Sequence, residues 1–188
     1  MSHLLQTYFM YMKDPAAGVQ RLVARRSFRQ ACAGYLVAAL SWVLFFNIAD
    51  HLSVAAFLFK WFLVFVAELT AGYFIAALCG LFLDLRHVKV SAAQLFVLVG
   101  SSGFIKALLI AFALISATFA HAHLGYMAPF ALLFVCVLQL IYLVRGLKYT
   151  WNVGTAESLG GWLFGFVPVC VAFVWVGIFF IWFLVLLF

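Results

Sequence analysis

The chain has 188 residues, of which 69% are hydrophobic and 9% charged, far from the roughly 45–50% apolar and 25% charged make-up of soluble domains. Mean hydropathy is +1.23, and no segment outside the apolar runs is long enough to bury a soluble core, which excludes most enzyme classes. The formal net charge of +6 is read through its placement along a membrane chain and not as a sign of nucleic-acid binding.

The first thirty residues form the opening element, a cytoplasmic amphipathic segment over 1–30. Asp14 in "KDPAAG" is placed to cap a helix with Pro15 at its first position. Arg21, Arg25 and Arg29 then recur every fourth residue, opposite Val19, Leu22 and Val23. Such a basic stripe attracts anionic lipid headgroups at about 1 kcal/mol per residue, and it also offers a docking face for a cytoplasmic partner. The segment lacks the compact apolar stretch of a cleaved signal peptide, so the first span is expected to act as an uncleaved insertion signal.

Residues 31–188 read as one all-α domain of five transmembrane helices, at roughly 31–49, 54–83, 92–119, 128–144 and 162–187. The alternation of a membrane β-barrel is absent. Lys13, Arg21, Arg25, Arg26 and Arg29, then Arg86 and Lys89, then Arg145 and Lys148 fall in one set of loops; the loops around "DHLS" and "HAHLGYMA" carry no Lys or Arg. That asymmetry predicts a cytoplasmic N-terminus and, with five spans, a C-terminus on the far side of a cell inner (plasma) membrane.

Glu68 in "FVAELTAGYF" and Lys106 in "SSGFIKALL" are the charges deepest in the spans. An ionised side chain at mid-membrane costs about 2.5–3.5 kcal/mol even on lenient scales. Helices 2 and 3 turn at "DLRHVKVS", centred near His87, and Glu68 and Lys106 stand equally far from that centre. The hairpin therefore predicts a buried ion pair, with Glu68, Gly72, Ala76 and Gly80 on one small-residue face and Ser102, Gly103, Lys106, Ala113 and Ala117 on the other. Two roles stay open: a fixed pair that sets helix register, or a proton or ion relay. A relay needs a polar path, for which Ser41, Asn47, Thr70, Ser116, Thr118, Gln139 and Tyr142 are the interior candidates. Lys60, about 12 Å outward along helix 2, is expected to snorkel to the interface without a partner.

Asp50, His51, His121 and His123 occupy the two far-side loops and have the ligand types of a Zn²⁺ or Cu²⁺ site; an H-x-H in a short loop also suits a solvated turn. Cys32, Cys79, Cys136 and Cys170 are spread one to a span and read as small buried apolar residues. In the loop "RGLKYTWNVGTAESLGG", Thr155 is positioned to cap the last helix and Glu157 to sit in its first turn, with Pro168 near the helix start. Phosphate-binding, dinucleotide-binding and zinc-protease motifs are absent, so no catalysis and no cofactor are expected.

Three stretches resemble the Yip-type (Ypt/Rab-interacting protein) domain family, in particular its short bacterial members: "YFMYMKDPAAGVQRLVARRSF", "SAAQLFVLVGSSGFIKALLIAF" and "LIYLVRGLKYTWNVGTAESLGGWLFGFVP". The resemblance implies a five-span bundle with a cytoplasmic N-terminus. It also implies a part in membrane assemblies, since eukaryotic relatives bind small GTPases and one another. The long N-terminal region and the D-L-Y-G-P type motif of those relatives are not found in this sequence, so no GTPase-binding residue carries over. The combined expectation is a non-enzymatic membrane scaffold or accessory subunit, partnered by anionic lipids and by other membrane subunits or copies of itself. The alternative is a small transporter or channel working through Glu68 and Lys106.

Overall fold

The structure, a computed structural model, describes residues 27–47, 53–118 and 127–187. These residues are helical, with short turns and no strand. We number the helices α1 (Phe28–Asn47), α2 (Val54–Leu85), α3 (Ala92–Ser102), α4 (Leu108–Thr118), α5 (Ala128–Trp151) and α6 (Thr155–Leu187); a 3₁₀ segment, Gly103–Ala107, joins α3 to α4. Taking α3 to α4 as one unit, five helical elements among the described residues are long and apolar enough to cross a membrane. The first begins at Phe28, so the boundary drawn near residue 30 falls inside α1. Arg29 is exposed in its first turn, while Arg21 and Arg25 lie outside the described residues.

The elements run up and down. Ala31 of α1 lies beside Gly100 of α3 and Ala38 beside Gly103, so these two helices are parallel. Pairing of Asn47 with Lys60 and of Trp42 with Glu68 runs α2 antiparallel to α1. Gln139 meeting Ser102 and Gly146 meeting Leu98 run α5 antiparallel to α3. Gly161 beside Cys79 and Leu83, and Gly165 beside Ile75, run α6 antiparallel to α2. This alternation gathers Arg29, Arg86, Lys89, Arg145 and Lys148, all exposed, at one end of the bundle.

The α2–α3 turn closes as a Schellman motif. The Val88 N–H donates to Leu83 O and the His87 N–H to Asp84 O, satisfying carbonyls that the helix end would leave open. His87 stands in the left-handed region with φ 61°, the position that glycine fills most easily. The predicted hairpin centre is thus its pivot.

Two predicted boundaries change. The loop over 145–161 shrinks to Asn152–Gly154, because α5 continues to Trp151 and α6 starts at Thr155. Arg145, Lys148 and Glu157 are polar because these helices project past the apolar zone, not because the backbone stops being helical. Asn152, with φ 54°, ends α5 in the left-handed conformation that Asn tolerates. Thr155 is the first residue of α6 and accepts a hydrogen bond from Lys148 Nζ at 3.3 Å, while Glu157 does lie in the first turn. Pro168 falls inside α6 and not near its start.

The closest crossing also differs from expectation. The small face of α3 packs mainly on α1: a Cβ on Gly34 would overlap Gly100 O, and one on Gly103 would stand 2.5 Å from Gly34 O. On α2, Gly72 receives the Tyr35 ring of α1, and Gly80 is the residue that faces α3 through Leu95. Ala113 is buried but Ala117 is exposed. Of the cysteines only Cys79 is buried; Cys32, Cys136 and Cys170 face outward, as small apolar residues do at no cost when lipid is the surroundings.

Candidate functional site

The site is built around a break in the element Ala92–Thr118, one of the helices long and apolar enough to cross a membrane. Ser101 and Ser102 turn their hydroxyls back on Leu98 O at 2.8 Å and Val99 O at 2.6 Å; such back-bonding bends helices. Gly103 follows, and the backbone tightens to 3₁₀ geometry through Ala107. Three residues per turn in place of 3.6 rotate Lys106 by roughly 60° from where a continued α-helix would carry it.

Lys106 Nζ lies 2.6 Å from Glu68 Oε1, with side chains 12% and 18% exposed respectively. Depth follows from the hairpin: the two residues lie equally far from the His87 pivot. Trp42 of α1 completes the group. Its Nε1–H donates to the same carboxylate oxygen at 2.6 Å, and Lys106 Nζ lies 5.4 Å from its ring centroid. Three helical elements are thereby tied at one point, with the carboxylate accepting two charge-assisted hydrogen bonds and the ammonium held over an aromatic face.

Trp42 was missed in the sequence. A signal existed: an indole N–H is a donor that seeks an acceptor when buried, and Trp42 lies seven residues after Tyr35 on the same α1 face, which packs on α2 at Gly72.

Next to this cluster, two hydrogen bonds join α3 to α5: Gln139 Nε2 donates to Ser102 Oγ at 2.9 Å, and Ser101 Oγ and Tyr142 Oη lie 3.1 Å apart. Tyr35 Oη donates to Phe96 O at 3.2 Å. The other polar candidates do not extend a path. Ser41, Thr70 and Thr118 bond to carbonyls of their own helices, at Val37, Val66 and Leu114, and Ser116 lines a separate apolar pocket of about 390 Å³ with Phe112 and Phe130.

Glu68, Lys106 and Trp42 line a cleft of about 720 Å³ between α1, α2 and α6. Its walls are otherwise mostly apolar, with Phe46, Phe166, Val169 and Phe173 among them, and Lys60 and Asn47 also line it. Lys60 is not without a partner as expected: its Nζ donates to Asn47 Oδ1 at 2.6 Å. The four far-side candidates for a metal, Asp50, His51, His121 and His123, lie outside the described residues. Among the described residues, no group of three His, Cys, Asp or Glu side chains converges.

No family model matches the chain, and no curated protein or solved structure matches it.

Proposed function

We propose that this chain is a non-enzymatic scaffold or accessory subunit of a larger membrane assembly, of the Yip type, in which the outer half of α6 is the surface that meets the partner. The observation that carries the reading is the contrast along α6. Its first half buries Ser158, Trp162 and Val169 in the bundle, whereas every residue from Cys170 to Phe179 is exposed. Around Gly177, apart from its two chain neighbours and the helix's own backbone, no described residue comes within 4 Å of where a Cβ would stand. Trp175, Phe179, Trp182 and Phe183 are all more than half exposed, a density of rigid aromatic rings suited to helix–helix packing in lipid.

In this reading the basic end of the bundle and the stripe of Arg21, Arg25 and Arg29 face the cytoplasm of a cell inner membrane. A photo-crosslinking residue placed at Trp175 or Phe179 in native membranes tests the reading of α6. The expected result is one discrete protein adduct from α6 that is absent when the same residue replaces Tyr73 or Phe134, which are also more than half exposed, on α2 and α5. Identical adduct patterns from all four positions contradict it.

A second reading, a small carrier or channel, is favoured by one observation: the ion pair lines an open cleft beside a break in a spanning helix, an arrangement found at transporter binding sites. Liposome flux with Glu68→Gln and Lys106→Met separates the two.

A further inference from the structure

The outer end of the cleft holds more hydrogen-bond donors than the protein satisfies. An ammonium has three N–H groups and an amide two. Lys60 uses one on Asn47 Oδ1, and Asn47 uses one on Val43 O at 2.9 Å. Two N–H groups of Lys60 and one of Asn47 are therefore left without an acceptor among the described residues. The described residues also place no carboxylate in ion-pair contact with Lys60. Glu68 is already engaged by Lys106 and Trp42, so among the described residues the Lys60 end of the cleft carries one positive charge with no carboxylate against it.

Depth matches a headgroup. The 32 residues of α2 extend about 48 Å against a hydrocarbon core of about 30 Å, which leaves about 9 Å at each end of a centred helix. Lys60 lies six residues from Val54, about 9 Å, at the hydrocarbon boundary. From there Leu63, Val64, Ala67, Ala71 and Ile75 continue one face of α2 into the bundle, over about 22 Å from Lys60 to Ile75, more than one leaflet's hydrocarbon depth. The volume lies within the roughly 300–1,000 Å³ typical of ligand clefts.

A small soluble anion satisfies the donors and leaves the apolar slot unfilled, whereas a zwitterionic lipid fills the slot and brings its own cation to Lys60. One molecule class meets both demands. We propose that the cleft holds an anionic phospholipid, its phosphate on Lys60 and Asn47 and one acyl chain lying along α2 past the Glu68–Lys106 pair. This site is separate from the basic stripe at Arg21, Arg25 and Arg29, and it goes beyond the scaffold reading.

The test uses the full chain in phosphatidylcholine nanodiscs containing phosphatidylglycerol with a photoactivatable acyl chain, with adducts mapped by mass spectrometry. Adducts are expected at Phe46, Val169 and Phe173. Lys60→Met should reduce them about fivefold, the factor that one basic group contributes near a membrane surface, while Lys60→Arg retains them. The basic stripe is intact in all variants, so it does not contribute to the difference. Equal labelling at these residues by a phosphatidylcholine probe, unchanged labelling in Lys60→Met, or displacement of the probe by inorganic phosphate would each overturn the proposal.

Discussion

At the end of the bundle that carries the α2–α3 and α5–α6 turns, Leu83, Leu95, Leu98, Leu143, Leu147 and Trp162 are fully buried against one another. Toward the other end α1, α2 and α6 border a cleft, a charged cluster joins smaller buried apolar residues such as Ala38, Val43 and Ala113, and the second half of α6 is exposed. The two halves hold Trp residues in opposite states. Trp42 Nε1 donates to a carboxylate, whereas Trp162 Nε1 is buried with no hydrogen-bond partner among the described residues. The difference shows what each half relies on. The packed half is held by close fit, and the open half by a few directed polar contacts that apolar surroundings make costly to leave unmade.

The largest effect that would sharpen this contrast is expected from Lys106→Met alone. Leaving Glu68 buried without its cation should cost about 3–5 kcal/mol, read as lost thermal stability in mild detergent. An unchanged melting temperature would break the claim that directed contacts hold this half. Trp42→Phe and Trp162→Phe make a matched pair. Both lose the same ring volume; the first also removes a hydrogen bond to a charged group, worth about 1.5–3 kcal/mol, whereas the second removes an unsatisfied donor, so Trp42→Phe should cost more than Trp162→Phe by about that amount. Equal losses would erase the distinction between the halves.

Gly34→Ala probes close fit at the α1–α3 crossing, where the new Cβ would meet the Gly100 backbone. A loss of about 1–3 kcal/mol is expected from such overpacking. The smallest effect is a gain: His87→Gly relieves the left-handed residue of the Schellman turn and should stabilise by about 0.5–1 kcal/mol, seen as a higher denaturation midpoint.

Much of this arrangement was legible in the letters because long apolar helices obey few rules. Apolar length marked the five long helical elements, and the symmetry of Glu68 and Lys106 about His87 brought them together. What stayed hidden depended on rotation. The 3₁₀ turn at Gly103–Ala107 resets the phase of Lys106 and sends the small face of α3 toward α1, and no hydropathy pattern carries that angle. Trp42 was hidden for a related reason: a lone aromatic among many reads as packing surface until its neighbour across the helix interface is known. The polar run 145–161 misled in the opposite sense, since polarity there marks the end of the apolar zone while the helix continues.

The most direct test of whether the Glu68–Lys106 pair fixes the bundle or moves something through it is a double-mutant cycle with Glu68→Gln and Lys106→Met, read on stability and on ion flux in liposomes. The predicted result is a stability defect in each single variant that the double variant largely recovers, with no flux from the wild-type chain. Wild-type flux that both single variants abolish and the double variant fails to restore would contradict it.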